Sequence, residues 1–244
     1  MVRAAIFFLL ACALGSAQPA APAFEVASIK PHPDDGASRH YFQFLPGGRL
    51  HAADTWIKYV VEMAYDLKDY QVLGGPSWIT SDRFDIEATA GDSGADEQRM
   101  RLMLQTLLAE RFQLKTRQET REFPIYDLTV AKGGPKIRAL GPGDQSNCRR
   151  ENSAMCGLRT MPQLAGFLTN QAGRPVFDKT GIQGDFDLLL DFDVYEARNQ
   201  PAPPDYNKPS LAAALQEQLG LKLEPRKASL PVLVIEEIHR PAEN

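Results

Sequence analysis

The chain has 244 residues, 43% of them hydrophobic and 24% charged, with a formal net charge of −4 at pH 7. This is ordinary globular composition, with room for one large domain or two small ones. The basic residues are spread along a mildly acidic chain, so no electrostatic footprint for nucleic acid is present and DNA and RNA are excluded as partners.

In chain order, Arg3, an apolar run from Ala4 to Leu14 and the small residues Gly15 and Ala17 predict a secretory signal peptide over 1–17. A rival reading takes L-L-A-C, ending at Cys12, as a lipidation box. No later segment approaches the ~20 apolar residues of a membrane span, so the mature chain is expected to have none and to be periplasmic or secreted. FEVASIK (24–30) reads as a strand and PHPDDGASRH as a polar loop. Asp54 is expected to cap a helix from Thr55 to about Asp66, with Trp56, Tyr59, Val60 and Met63 on one side. YQVLG (70–74) and RFDIEATA (83–90) read as strands. Asp96 caps a second helix with Met100, Met103, Leu104, Leu107 and Leu108 as its apolar stripe. FQLKTRQETR and PIYDLTVAK read as two further strands, closed by Gly133-Gly134-Pro135.

The elements then recur. Thr160, Pro162 and Gln163 open a helix to about Gln171, RPVFD and FDLLLDF are strands, and Pro209-Ser210 open a helix buried through Leu211, Leu215 and Leu219. KLEPRK and PVLVIEEI end the chain as strands. Residues 107–128 lie over 214–235 without a gap, Leu108 on Leu215, Glu110 on Glu217, Lys115 on Lys222 and Pro124 on Pro231. The expected architecture is α+β: a tandem duplication of a β-α-β-β-α-β-β module, with helices on mainly antiparallel sheets. The copies span 24–135 and 158–244, joined by a connecting loop over 136–157, and a proline-rich insert occupies 195–209.

Asp178 lies in D-K-T-G, the tetrapeptide that carries the phosphorylated aspartate of P-type ATPases. Phosphoryl transfer also needs a nucleotide cradle and magnesium ligands, and no G-x-x-x-x-G-K-[ST] loop accompanies it. Thr180-Gly181 and Gly184-Asp185 instead read as turn residues between two strands. Asp185, Asp187, Asp191 and Asp193 share the odd-numbered face of a strand, while Phe186, Leu188, Leu190 and Phe192 share the other. Close carboxylates can bind calcium or work as an acid–base pair, but a solvated sheet face explains the aspartates without a ligand. His32, His40, His51 and His239 lack metal-ligand spacing, so no metal and no cofactor is expected. In an oxidising compartment Cys148 and Cys156 are a disulfide pair, the alternative being free thiols. Trp56, Tyr59, Tyr65, Tyr70 and Trp78 gather aromatics in the first copy, where core packing competes with a ligand groove. Trp56, Tyr59, Tyr70 and Trp78, with Asp187 and Asp191, are therefore the candidate interaction residues.

The blocks FEVASIKP, GGPSWITSDRFDIEA, MLQTLLAERFQLKTRQETREFPIYDLTVAKGGPK, RPVFDKTGIQGDFDLLLDF and SLAAALQEQLGLKLEPRKASLPVLVIEEIHRPAEN resemble, in this order, the exported DUF3738 proteins expanded in soil acidobacteria. That resemblance implies no activity and no site. Each copy also resembles, in element order, the secretin/TonB short N-terminal domain, an envelope module that docks to partner proteins. The expectation is a secreted or periplasmic non-enzymatic module that binds an envelope or secreted protein, its oligomeric state undefined by sequence. The alternatives are an exported hydrolase-like enzyme whose site forms only in three dimensions and a small-ligand sensor.

Overall fold

The computed structural model describes residues 21–33, 36, 39–141, 144, 155–197, 200–203 and 206–241. The expected signal peptide, Cys12 and Cys148 lie outside them. The elements are Val26–Pro31 (β1), Tyr41–Leu45 (β2), Arg49–Trp56 (β3), Ile57–Tyr65 (α1), Val72–Gly74 (β4), Trp78–Ser81 (α2), Arg83–Thr89 (β5), Glu97–Arg111 (α3) and Lys115–Val130 (β6). There follow Arg138–Ala139 (β7), Met155–Arg159 (β8), Met161–Ala172 (α4), Val176–Asp178 (β9), Phe186–Leu190 (β10), Val194–Ala197 (α5), Leu211–Ala214 (α6) and Leu221–Glu237 (β11). The fold is α+β, and the chain divides into two compact units, Met1–Arg117 with Leu233–Asn244, and Gln118–Val232.

In the first unit an antiparallel sheet has the order β1-β5-β3-β2. Alternation puts Leu50, Ala52, Phe84, Ile86 and Ala88 on one face of it, in a single core with Ile57, Val60, Val61 and Ala64 of α1 and the α3 stripe. That stripe is Met100, Met103, Leu104, Leu107 and Leu108, as its 3.6-residue period predicts, and Asp96 caps the helix by accepting from the Arg99 N–H at 2.8 Å. Leu233 and Ile235 of β11 join this core, where β11 runs parallel to β4.

In the second unit β7, β10 and β8 form an antiparallel sheet, and β9 runs parallel to Tyr126–Leu128 of β6. Thr160 and Gln163 form the expected capping box of α4, and Gly173 ends it in left-handed backbone. Phe186, Leu188, Leu190 and Phe192 are buried while Leu189 is 51% exposed, which is the predicted alternation. Helix α6, capped by Ser210, continues as a π-helical turn over Leu215–Leu219.

Several expectations are corrected. Asp54 does not cap α1; it lies within β3 at φ 49, and Trp56 stands at the N-cap. The pairs of strands expected around Phe123-Pro124 and around Ser229-Leu230 are two continuous strands, β6 and β11. Pro124, Pro225 and Pro231 are exposed within them, at positions where extended backbone accepts a residue lacking an N–H. Strands β2 and β3 were not expected as such, and β4 and β9 are paired in parallel. With α2, β7 and α5 left aside, the series β3-α1-β4-β5-α3-β6 is followed by β8-α4-β9-β10-α6-β11, and the short strand of each series pairs with the last strand of the other.

D-K-T-G is a turn. The Asp178 carboxylate accepts from the Thr180 N–H at 2.9 Å and from its hydroxyl at 2.7 Å, Thr180 Oγ1 accepts from the Ile182 N–H, and Gly181 takes φ +70. Gly220, which ends the π-helical turn at φ +66, packs against the chain even more tightly: a Cβ there would lie 2.1 Å from the Gly134 carbonyl oxygen. Gly220→Ala is therefore expected to destabilise the protein by about 2 kcal/mol or more, read as a lower urea midpoint with unchanged slope.

Candidate functional site

The polar centre of the first unit grows from a β-bulge. Opposite β5, the register of β3 shifts between Ala52 and Thr55, and the extra residue places Asp54 in left-handed backbone. Aspartate tolerates that conformation better than most residues. Asp54 is buried, 4% exposed, and every polar group of it is used. Its carboxylate accepts from the Arg39 N–H at 2.8 Å and stands 3.9 Å from Arg83 Nε. Its N–H donates to Asp85 Oδ1 at 2.9 Å. Its carbonyl accepts from Arg83 Nη1 and lies 3.3 Å from His40 Nδ1.

Asp85 Oδ1 is also 2.8 Å from His32 Nδ1, at the end of β1. A carboxylate on Nδ1 orients an imidazole and leaves Nε2 for another partner. His32, Arg83, Ile29, Phe84, Asp82 and Arg240 line a hollow of about 350 Å³. Arg240 is held there by Asp82 at 2.8 Å and lies over the Trp78 ring at 5.1 Å.

On the β2 side of the bulge the side chains are aromatic. Trp56 stacks on His40 at 4.7 Å with the Arg83 guanidinium 4.6 Å from the Trp56 ring, and Tyr59 of α1 meets His40 edge-on at 4.8 Å. Phe42 contacts Tyr59 and Phe44, and Arg101 lies over Phe44. None of His40, Phe42, Phe44, Trp56 and Tyr59 is fully buried.

Of the residues singled out from sequence, Trp56 and Tyr59 meet in this cluster. Trp78 is 8% exposed and packs with Phe84 and Phe112, as a core residue. Tyr70 sits in a 3₁₀ turn over Asp69–Gln71, and burial raises its phenol above the ordinary range. Asp187 and Asp191 belong to the second unit and do not converge: Asp187 is in register with Arg138, whereas Asp191 pairs with Lys208 and its backbone is held by the Gln218 amide. Cys156 on β8 is disulfide-bonded, and Cys148 is outside the described residues. His32, Arg83 and Asp85 were missed, since residues some fifty positions apart carry no motif; the alternation of polar Arg83, Asp85 and Glu87 with buried Phe84 and Ile86 was the available signal.

Beside Tyr59, Glu62 of α1 is buried, with Oε1 lacking a hydrogen-bond partner among the described residues. Burial, reinforced by the Asp69 charge, raises its carboxyl from 4.5 to about 7 against the opposing pull of Lys58 and Lys68. The folded state thus holds a proton that the unfolded chain has released, so stability falls as pH rises from about 4.5 to about 7. Glu62→Gln is expected to flatten that slope, by on the order of 1–2 kcal/mol after solvent screening, in urea unfolding at pH 5 and pH 8. At the bulge, Asp54→Ala is expected to cost about 2 kcal/mol and Asp54→Asn less, because asparagine keeps an acceptor and tolerates positive φ. Thermal unfolding of the two variants checks the order.

The model of a family described as protein of unknown function (DUF3738) matches residues 58–238. That interval includes Tyr59, Arg83 and Asp85 but begins after His32, Asp54 and Trp56. No curated protein and no solved structure matches the chain, so the likeness to the secretin/TonB module rests on element order alone.

Proposed function

Because the chain belongs to the DUF3738 family, of unknown function, its role has to be argued from geometry, and we propose a non-enzymatic module, secreted or periplasmic, that captures an extended segment of an envelope or secreted protein along β2. The observation that carries this reading is the position of β2. It stands last in its sheet, so one side of its backbone has no strand partner within that sheet. A segment added there gains main-chain hydrogen bonds, and its alternate side chains meet the partly exposed rings of Phe42, Phe44, His40, Trp56 and Tyr59. Aromatic residues and arginine, here Arg83 and Arg101, are the side chains enriched at protein interfaces. Among the described residues no helix is long and apolar enough to cross a membrane. Residues 1–17 support export on composition. The repeated series of elements supports a duplicated ancestry, which an experimental structure with non-superposable series would overturn.

A photo-crosslinking residue at Gln43, whose side chain is exposed on β2, tests the proposal in the producing cell. A discrete protein adduct is expected, and in the purified complex the outward amides of β2 should exchange at least about tenfold more slowly. The absence of an adduct, or an adduct without protection on β2, counts against strand addition. The enzyme reading has one observation in its favour, the His32–Asp85 pair beside the hollow. It requires a hydrolytic activity that disappears in His32→Gln.

A further inference from the structure

The second unit carries a hollow of about 350 Å³ over a sheet face, built by β6, β9 and β11. Its floor is apolar, with Ile125, 5% exposed, beside Phe177 and Leu230. Its rim is cationic: Lys179, Arg226 and Lys227 against the single carboxylate of Asp127. Arg226 Nε stands 3.7 Å from Asp127, and Lys227 is occupied by Glu122 at 2.8 Å. The Lys179 ammonium has no ion-pair partner among the described residues.

The D-K-T-G turn explains how that lysine comes to be there. In the parallel ladder Leu128 is in register with Asp178 and Asp127 with Phe177. Alternation therefore sends Asp178 to the face of Leu128 and Lys179 to the face of Phe177 and Asp127. The Asp178 carboxylate closes the turn onto Thr180, and the Lys179 N–H donates to the Leu128 carbonyl at 2.9 Å, so the backbone that presents Lys179 is bonded on both sides. Asp178 turns its carboxylate onto Thr180 and is the latch of the segment whose next residue is Lys179.

We propose that this hollow is a binding site for a small organic acid, its carboxylate against Lys179 and Arg226 and its apolar body over Ile125, Phe177 and Leu230. The hollow has room for a ligand of benzoate or short-chain acid size, and the few charged groups over an apolar floor are the composition of a small-molecule site. A strongly hydrated inorganic anion would gain nothing from the floor, and a neutral molecule nothing from the rim.

The test is a titration of the full chain, followed through the Ile125 methyl and Lys179 amide resonances, with benzoate, benzyl alcohol and inorganic phosphate as probes. Benzoate is expected to shift both resonances saturably, with benzyl alcohol at least roughly fivefold weaker for want of the charge contacts and phosphate at least roughly fivefold weaker for want of the floor. Lys179→Met, which keeps the aliphatic stem, should weaken benzoate by a similar factor with the unfolding midpoint unchanged. Asp178→Ala, which unlatches the turn without altering a lining residue, should also weaken it. Phosphate binding as tightly as benzoate would make the rim an unselective cationic patch, and benzyl alcohol doing so would make the floor an apolar crevice; either overturns the proposal. So does a Lys179→Met variant with undiminished benzoate affinity, while an Asp178→Ala variant with undiminished affinity overturns the role given to the turn.

Discussion

Asp54 sits in backbone that costs a non-glycine residue on the order of 1 kcal/mol, buried where an unpaired carboxylate would cost several times more. Both costs are met locally: the N–H reaches Asp85, the carbonyl receives Arg83, and the carboxylate takes the Arg39 N–H. The bulge thereby ties β1, the approach to β2, β3 and β5 to one residue. His32 reaches the same point through Asp85, and Arg83 leaves it to lie over Trp56. The hollow and the aromatic cluster are consequently joined through Arg83, which lines the one and lies over Trp56 in the other.

The second unit uses an aspartate in a different way. Asp178 stays half-buried and turns its carboxylate onto the next turn, so its effect is confined to the four residues after β9. Asp54 draws on partners from across the sheet, whereas Asp178 needs only Thr180. This difference in range is why one was legible from sequence and the other was not. Turn chemistry is encoded by neighbours, and Thr180-Gly181 announced it. A bulge depends on what lies opposite, and nothing in RLHAAD states that Ile86 and Phe84 will face it with one residue too few.

The same division holds for the elements. The stripe of α3, the capping box of α4 and the alternation of β10 are periodic or local signals, and each is found where its period placed it. The long strands β6 and β11 each cover two strands expected from sequence, the second of each pair opening at Pro124 and Pro231. In the fold those prolines are exposed within continuous strands that the ladder has no need to interrupt. Of the site residues, Trp56 and Tyr59 were flagged as aromatics near a predicted helix start, whereas the groups that organise them, Asp54, Arg83 and Asp85, bore no spacing that distinguishes them from surface charges.

The amino-acid sequence by itself determined family, fold class, the faces of the amphipathic elements and the turn at D-K-T-G, because each depends on residues within one helical period, one strand or one turn of each other, or on the order of such blocks. Only the tertiary structure decided that β4 runs beside β11 and β9 beside β6, that Asp54 bridges β3 to β5, and that Lys179 and Arg226 share a hollow. Those are pairings between segments tens of residues apart, chosen by the burial and hydrogen bonding available once the whole chain has collapsed, and no local pattern carries that choice.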